Sequence, residues 1–252
     1  LPFAIPFTTR LGALRRWLSQ RRELATQASF SVAHGFGPQW HTITVSRESL
    51  LDDANAELHG LGPSQWQLPL RVRFLGLEGL EEAGVGEGVA KEFLVDVLKA
   101  GFDPEAGLFC TTHDGALAPD PLAARRRGVH DAESLYALLG AILAKTLYEG
   151  ILVELPLAPY FLNLLLGRNN TFNDLPTLDP HLAGSLRWLK RYEGDFEPLS
   201  LNFAVDVDTG GGAPRAVPLV PGGEAIAVTR ENRSEFALRV ARYRLNTQLR
   251  PA

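Results

Sequence analysis

The single cysteine is the residue best suited to covalent chemistry in this chain of 252 residues. A cysteine acts as a nucleophile when a cation, a base or a helix N-terminus lowers the pKa of its thiol. Cys110 instead lies in the strand-like run Leu108-Phe109-Cys110-Thr111, where the nearest basic side chain in sequence is His113. We therefore predict a structural or incidental role for Cys110 and no nucleophilic one.

Metal-dependent chemistry is not predicted from the histidines. The six histidines are scattered, and none forms a His-Glu-x-x-His motif or a comparable ligand pair. One cysteine also excludes an internal disulfide and a zinc site made of several thiolates. We expect neither a metal nor another cofactor.

A glycine-rich turn at 84–88 has the composition of a phosphate-binding loop without its spacing. No Gly-Lys-Ser/Thr sequence closes it, and Val89 stands where a Gly-x-Gly-x-x-Gly motif needs its last glycine. A Gly-x-Ser-x-Gly nucleophile motif is also absent from the sequence. The turn is therefore predicted to lead into a helix and to bind no ligand.

Charge and hydropathy exclude several classes of partner. Lys and Arg total 25 and Asp and Glu total 29, so a net charge of −4 gives no bulk attraction to nucleic acid. No run reaches the ~18 apolar residues of a membrane span, and residues 1–7 do not resemble a secretory signal. We expect a cytoplasmic protein, with the nucleus as the alternative, and no nucleic-acid or membrane partner. The chain lacks methionine, so we interpret it as a fragment.

The elements that must position any site indicate a mainly helical α+β fold. Capping residues and apolar periodicity predict these helices: Arg10–Leu24, Leu50–Leu61, one that ends at Gly101, Ala132–Glu149, one that starts at Pro156, Pro180–Arg191, and one capped by Thr229. Alternation predicts these strands: His41–Val45, Leu68–Phe74, Leu108–Cys110, Leu199–Phe203 and Ile226–Val228. Gly140 and Ala144 are predicted to let a second helix approach closely.

Three apolar faces fall within residues 180–240. They are Leu182, Leu186, Leu189 and Tyr192 on a helix; Leu199, Leu201 and Phe203 on a strand; and Phe236 and Val240 on a later helix. A unit this small buries only about 60% of its unfolded surface. The three faces therefore either pack together as a minor core or form an open groove for an apolar anchor of a partner protein. The residue pattern leaves both interpretations open.

A series of short segments carries a resemblance to a known family. The segments are Glu81–Val85, Lys91–Leu94, Phe102–Pro104, Gly107–Thr112, Leu138–Gly140, Ala144–Gly150, Leu152–Pro156, Leu178–Pro180, Arg191–Asp195, Leu199–Phe203, Val220–Gly223 and Ile226–Arg233. Their order and spacing, from about residue 40 to the end, resemble the amino-terminal lobe of HECT-type E3 ubiquitin-protein ligases. The resemblance is closest to the type B and type C ligases, which carry an IQ motif upstream.

The resemblance implies an activity. HECT ligases accept ubiquitin from an E2 thioester onto their own cysteine and pass it to a substrate lysine. Their amino-terminal lobe docks the E2, and their carboxyl-terminal lobe carries the cysteine. The Leu-Pro run and Thr-Cys pair around that cysteine are absent here, so we expect an E2-docking part that is inactive alone. The implied partners are an E2 enzyme, ubiquitin, and substrates bound by regions outside this chain.

The resemblance also implies a site and a division of the chain. In the family, a groove in a small subdomain takes an aromatic side chain from an E2 loop. The implied E2-binding residues are Leu182, Ser185, Leu186, Leu189, Tyr192, Leu199, Leu201, Phe236 and Val240. The implied division is a leading amphipathic helix and loop (1–39), a large subdomain (40–170), a small E2-binding subdomain (171–240) and a truncated return towards the large subdomain (241–252). Because E2 enzymes must exchange, we expect docking on the order of micromolar.

Two other interpretations remain at this point. The chain could be a non-catalytic scaffold or decoy that keeps the E2 groove without a second lobe. It could also be an unrelated helical interaction module. Binding of an E2 separates the second interpretation from the first.

Overall fold

The computed structural model describes residues 4–32, 40–76 and 86–249. Contacts within the chain define two units, Leu1–Phe102 with His130–Glu154 (unit 1) and Asp103–Val129 with Leu155–Ala252 (unit 2). The division implied by the family resemblance concerns functional subdomains and stays a prediction. No helix among the described residues is both long enough and apolar enough to cross a bilayer.

The predicted α+β class is confirmed. The helices are α1 (Phe7–Val32), α2 (Leu50–Leu58), α3 (Pro63–Gln67), α4 (Glu87–Phe102), α5 (Ala123–Arg127), α6 (Val129–Glu149), α7 (Pro159–Leu165), α8 (Pro180–Arg191) and α9 (Arg233–Arg242). The strands are β1 (His41–Ser46), β2 (Leu70–Leu75), β3 (Phe109–Thr111), β4 (Leu117–Pro119), β5 (Ala204–Val207) and β6 (Arg215–Pro218). The strands pair two by two: β1 with β2 in parallel, β3 with β4 and β5 with β6 antiparallel.

Unit 1 is built on the β1–β2 pair. His41 pairs with Leu70, and the register continues to Ser46 opposite Leu75. Successive side chains of a strand point to opposite faces of the sheet, and only one face of this pair is covered. Alternate residues are therefore buried, among them Ile43, Val45, Val72 and Phe74. Helices α2 and α4 supply further core residues such as Leu58 and Phe93.

Close helix packing in unit 1 depends on Gly101. Helix α4 continues through Gly101 to Phe102, so the predicted cap at Gly101 is wrong. A Cβ at Gly101 would lie 2.8 Å from Leu139 Cδ1 of α6, so any larger residue here would force the buried Leu139 side chain to shift. Gly140 and Ala144 are exposed, and a Cβ at Gly140 would meet no atom within 4 Å. The predicted close contact at Gly140 and Ala144 is therefore also wrong.

Unit 2 has its own core around α8 and α9. Large side chains from several segments are buried in it, including Tyr160, Leu175, Leu186, Leu189, Phe203, Val228, Phe236, Val240 and Leu245. The rings of Phe203 and Phe236 meet edge to face with centroids 5.5 Å apart. The apolar faces predicted in residues 180–240 thus meet largely in a common core.

Two helices start at a different residue from the one predicted, and local hydrogen bonds explain the difference. Helix α7 begins at Pro159, because the carbonyl of Pro156 accepts from Leu117 N at 2.7 Å in extended backbone. Helix α9 has Asn232 as its N-cap residue, with Asn232 Oδ1 accepting from Thr229 N at 2.7 Å. The predicted start at Pro156 and the predicted cap at Thr229 are both wrong.

The strand predicted at Leu199–Phe203 is absent. Glu197–Leu199 forms a 3₁₀ turn, and Ser200 has a φ of 49°, in the left-handed region that a strand cannot contain. Strand β5 starts only at Ala204. The strand predicted at Ile226–Val228 is reduced to a single bridge between Asn202 and Ala227.

Candidate functional site

Four of the nine predicted E2-binding residues are buried in the core of unit 2. Leu186, Leu189, Phe236 and Val240 expose no more than 5% of their surface. Side chains this enclosed cannot form the open walls of a groove in this structure. The first interpretation of the apolar faces, a minor core, holds for these four.

The other five predicted residues reach the surface around that core. Leu182 and Leu199 are half-buried and pack against it. Tyr192 is half-buried, Ser185 is exposed, and Leu201 is 37% exposed. We call the set of Leu182, Ser185, Tyr192, Leu199 and Leu201 the docking face.

Helix α8 carries two of the docking-face residues, Leu182 and Ser185, and Tyr192 follows it directly. The sequence of α8 fixes its start. The Asp179 carboxylate accepts from Leu182 N at 2.8 Å, which satisfies one of the free N–H groups at the helix N-terminus. Pro180 occupies the first helical position, where its fixed φ suits the helix and no N–H is missed. The predicted bounds of this helix are confirmed.

Arg233, at the start of α9, holds the other end of α8. Its guanidinium donates to the backbone carbonyls of Lys190 at 3.1 Å and of Tyr192 at 2.7 Å, and to Glu193 Oε1 at 2.9 Å. These carbonyls belong to the end of a helix, where backbone acceptors lack intrahelical partners. Arg233 therefore couples the orientation of α8 to that of α9.

Three aromatic rings form a row from α8 into the following turn. The centroids of Trp188 and Tyr192 are 4.6 Å apart, and those of Tyr192 and Phe196 are 5.3 Å apart. Trp188, the outermost ring, is 54% exposed. We call Trp188, Tyr192 and Phe196 the aromatic ladder.

The sequence analysis missed Trp188 and Phe196 as surface residues. A search for apolar faces at steps of three and four from Leu182 selects the side of α8 that faces the core. The signal that could have found Trp188 is its position three residues after Ser185 and four before Tyr192, spacings that place side chains on one face of a helix. Phe196 lies in the turn after α8, where this signal does not apply.

Cys110 lies in β3 and is half-buried. Burial is the larger cause that raises the pKa of its thiol, the Asp120 carboxylate raises it further, and Arg126 partly opposes both. Its Sγ lies 3.8 Å from the carbonyl oxygen of Pro119. A raised pKa reduces the thiolate fraction at neutral pH and so disfavours nucleophilic chemistry.

The described residues contain no group of three His, Cys, Asp or Glu side chains arranged to hold a metal. His113 and His181 do approach each other, with ring centroids 5.2 Å apart in an edge-to-face arrangement. A ring pair without a third ligand is a packing contact.

Comparison with known proteins gives the family context of this surface. Residues 95–252 match the family described as HECT-domain (ubiquitin-transferase). The chain is 36% identical over 251 residues to E3 ubiquitin-protein ligase UPL6 of Arabidopsis thaliana, covering 99% of this chain and 23% of that protein. It is 33% identical over 258 residues to Ubiquitin-protein ligase E3B of Homo sapiens, with the same shares covered.

A yeast ligase is similar to this chain at a comparable identity and over a comparable share of its length. E3 ubiquitin-protein ligase HUL5 of Saccharomyces cerevisiae is 31% identical over 261 residues, which cover 98% of this chain and 28% of that protein. The chain thus spans about a quarter of the length of these relatives. The family match includes α8, α9 and the whole docking face. This chain belongs to the HECT-domain (ubiquitin-transferase) family.

Proposed function

We propose that this chain is the E2-docking part of a HECT-type E3 ubiquitin-protein ligase. The observation that carries the proposal is the family match over residues 95–252, which contains every docking-face residue. The names of the relatives, all E3 ubiquitin ligases, support the same activity for the longer protein. Its partners are then an E2 enzyme, ubiquitin and substrate proteins.

The docking face supports a weak, exchangeable contact. Leu201 is exposed and Leu182 and Leu199 are half-exposed over a packed core, so a partner can bury apolar area here without remodelling the fold. A few such anchors give affinities on the order of micromolar, or about −8 kcal/mol. Weak binding suits a ligase because each E2 must leave after it has delivered its ubiquitin.

The role of the four buried residues is support. Leu186 and Leu189 pack α8 against the core of unit 2, and Phe236 and Val240 pack α9 against the same core. Arg233 fixes the end of α8, so the docking face is positioned before a partner arrives. A preformed surface lowers the entropy cost of binding.

Thiol chemistry is assigned to a cysteine outside this chain. Transfer needs a thiolate that attacks the E2 thioester carbonyl while the E2 cysteine leaves as a thiolate, and an ionised thiol forms most readily when its pKa is low. Cys110 has the opposite character, with its pKa raised by burial. The contribution of this chain is to hold the charged E2 within reach of that other thiolate.

A titration of the chain with a panel of purified E2 enzymes tests the proposal. At least one E2 is expected to bind with a Kd on the order of micromolar. Leu201→Ala is expected to weaken that binding because it removes an exposed anchor, whereas Ile5→Ala, an exposed apolar change in unit 1, is expected to leave it unchanged. Failure of every E2 to bind the folded chain would refute the proposed function.

A further inference from the structure

Helix α1 is a long helix without a buried side chain over the part in which side chains are described. It has 26 residues, which span about 39 Å. From Phe7 to Ala25 every side chain is exposed or half-buried. Helices in folded proteins owe most of their stability to an apolar face that packs against another element. The length of α1 therefore indicates a surface that a partner covers.

One side of α1 is attached to unit 1. Leu11, Leu18 and Arg22 follow one another at steps of seven and four residues, so they share a side of the helix, and all three are half-buried. Arg22 Nη1 donates to the backbone carbonyl of Glu149 at 3.2 Å, at the C-terminal end of α6. The Glu149 carboxylate adds an ion pair with Arg22 at 3.6 Å. This attachment leaves another side of α1 open to solvent.

The open side combines apolar and cationic side chains. Its members recur at steps of three and four residues, which places them in one row along the helix. The four apolar members are between 38% and 67% exposed. We call this row the outer stripe, and it consists of Phe7, Arg10, Leu14, Trp17, Arg21 and Leu24.

The two arginines of the outer stripe lack an acidic partner. Among the described residues neither Arg10 nor Arg21 forms an ion pair. The Arg10 guanidinium lies 5.9 Å from the ring centroid of Phe7, and the Arg21 guanidinium lies 5.2 Å from that of Trp17. Five arginines and one glutamate give α1 a net charge of +4, whereas the whole chain carries −4. Charge complementarity therefore favours an acidic partner at this helix.

An anionic membrane fits the outer stripe poorly. A helix that lies in the membrane interface keeps its cations on its polar face, away from the apolar face that enters the lipid. Arg10 and Arg21 instead stand between the apolar residues of the stripe. Insertion of Leu14 and Trp17 among acyl chains would draw both guanidinium groups towards the lipid with them.

A second copy of α1 fits the outer stripe equally poorly. In an antiparallel pair centred on the stripe, Arg10 of one copy would face Arg21 of the other. In a parallel pair in register, each arginine would face the same arginine of the other copy. Juxtaposed like charges oppose both arrangements.

We propose that the outer stripe of α1 binds an acidic amphipathic helix of a partner protein, with two carboxylates of that helix facing Arg10 and Arg21. Apolar side chains of the partner then pack on Leu14 and Trp17 between the two ion pairs, a mode of recognition in which anchors recur at helical spacing. The arginines are eleven residues apart, or about 16 Å along α1. In either chain direction, the two acidic residues of the partner must therefore also be about eleven residues apart.

This inference does not depend on the proposed function. The outer stripe lies outside residues 95–252, which match the family, and it contains no residue of the docking face. Substitutions in the stripe are therefore expected to leave the affinity for an E2 enzyme unchanged.

The test titrates the full chain with three synthetic helical peptides of about three heptads each, all with leucine at the a and d positions. The first peptide carries glutamate at two of these positions, eleven residues apart; the second has glutamine there and the third has lysine. We expect the glutamate peptide to bind with a Kd on the order of 10 micromolar. The glutamine peptide is expected to bind at least about tenfold more weakly, and the lysine peptide not to bind.

Substitutions in α1 locate the contact. Trp17→Ala is expected to raise the Kd for the glutamate peptide by about tenfold or more. The double change Arg10→Glu with Arg21→Glu is expected to abolish binding of the glutamate peptide and to create binding of the lysine peptide. Arg16→Glu is the matched control, because Arg16 is an exposed arginine of α1 outside the stripe. Its Kd is expected to stay within about threefold of wild type at physiological salt. Circular dichroism of each variant checks that the chain is folded.

Every other result overturns the inference. It is wrong if the glutamate and glutamine peptides bind equally well, if neither binds, or if the double change does not reverse the charge preference. Sedimentation with vesicles of phosphatidylcholine and phosphatidylserine is the second arm. Vesicle binding that Trp17→Ala removes, without peptide binding, would make the stripe a membrane surface. A dimer in sedimentation velocity that Trp17→Ala abolishes would make it a self-association surface.

Discussion

Arg233 Nη1 donates to the backbone carbonyl of Tyr192 at 2.7 Å, across 41 positions of sequence. The donor is the first residue of α9 and the acceptor is the residue directly after α8. The Arg233 side chain is only 15% exposed, so water competes little for this bond. The bond joins the end of α8 to the start of α9, and three of the five docking-face residues lie on α8 or directly after it.

Arg233→Ala is expected to destabilise the chain by about 2–3 kcal/mol, since it removes charged hydrogen bonds and leaves two part-buried carbonyls without this donor. The measurement is the free energy of unfolding from urea denaturation. Arg239→Ala is the matched control, because the ion pair of Arg239 with Glu235 at 3.0 Å lies on the surface of the same helix. That change is expected to cost less than about 0.5 kcal/mol. Equal losses for the two variants would contradict the role of Arg233.

Leu186→Ala and Phe236→Ala are expected to lower the free energy of unfolding by about 2–5 kcal/mol each, because both create cavities in a packed core. Any loss of E2 binding should then parallel the loss of folded protein in circular dichroism. Leu201→Ala, which changes an exposed side chain, is expected to cost less than about 1 kcal/mol. If the Phe236→Ala variant kept full stability but lost E2 binding, the interpretation of these residues as an open groove would be supported instead.

The predictable part of the fold is the part that local signals determine. The bounds of α8 follow from Asp179 and Pro180 at its start and from apolar spacing along its length, and all these signals lie within the helix itself. Strand alternation likewise located β1, although β1 extends one residue beyond the predicted end. The strand predicted at Leu199–Phe203 failed because one left-handed residue, Ser200, is invisible to an alternation count.

The burial of the nine proposed E2-binding residues was not predictable from the sequence, and their role in E2 binding stays a prediction. Family resemblance placed nine residues in one region of unit 2, and the structure brings seven of them onto α8 and α9 or the residue that follows α8. Whether a leucine such as Leu189 faces solvent or a neighbouring helix depends on tertiary packing, which periodicity along one helix cannot specify. Trp188 was overlooked because the search followed the apolar positions from Leu182 that face the core, whereas Trp188 is 54% exposed.

Gly101→Ala tests a contact that sequence reasoning assigned to the wrong glycine. The added methyl would collide with Leu139, so a destabilisation of about 1–3 kcal/mol is expected despite the better helix propensity of alanine. Gly140→Ala is the control, since its Cβ would enter open space and should stabilise the chain by up to about 1 kcal/mol. Thermal or urea unfolding that ranks the two variants in the opposite order would show that α4 and α6 do not need Gly101 to approach.

Cys110 gives a prediction in which the sign of a pKa shift decides the result. Burial and the Asp120 carboxylate raise the pKa of this thiol, so the folded chain holds the proton to higher pH than the unfolded chain does. Alkylation by iodoacetamide, followed against pH, should therefore reach its midpoint at higher pH in the folded chain than in urea. Limited access of the reagent to the thiol would lower the alkylation rate by the same factor at every pH. A shift of the midpoint therefore reports the pKa and not the access.

Asp120→Asn should move that midpoint down, because it removes the second cause of the raised pKa while it keeps an acceptor for the backbone N–H of Leu122, 2.8 Å away in the wild-type chain. A thiol that stays protonated is a poor acceptor for ubiquitin. We therefore expect that a charged E2 forms no reducible ubiquitin adduct with this chain on a non-reducing gel. An adduct that Cys110→Ala removes would contradict the assignment of the acceptor thiol to a cysteine outside this chain, since Cys110 would then have to ionise in spite of its burial and its acidic neighbour.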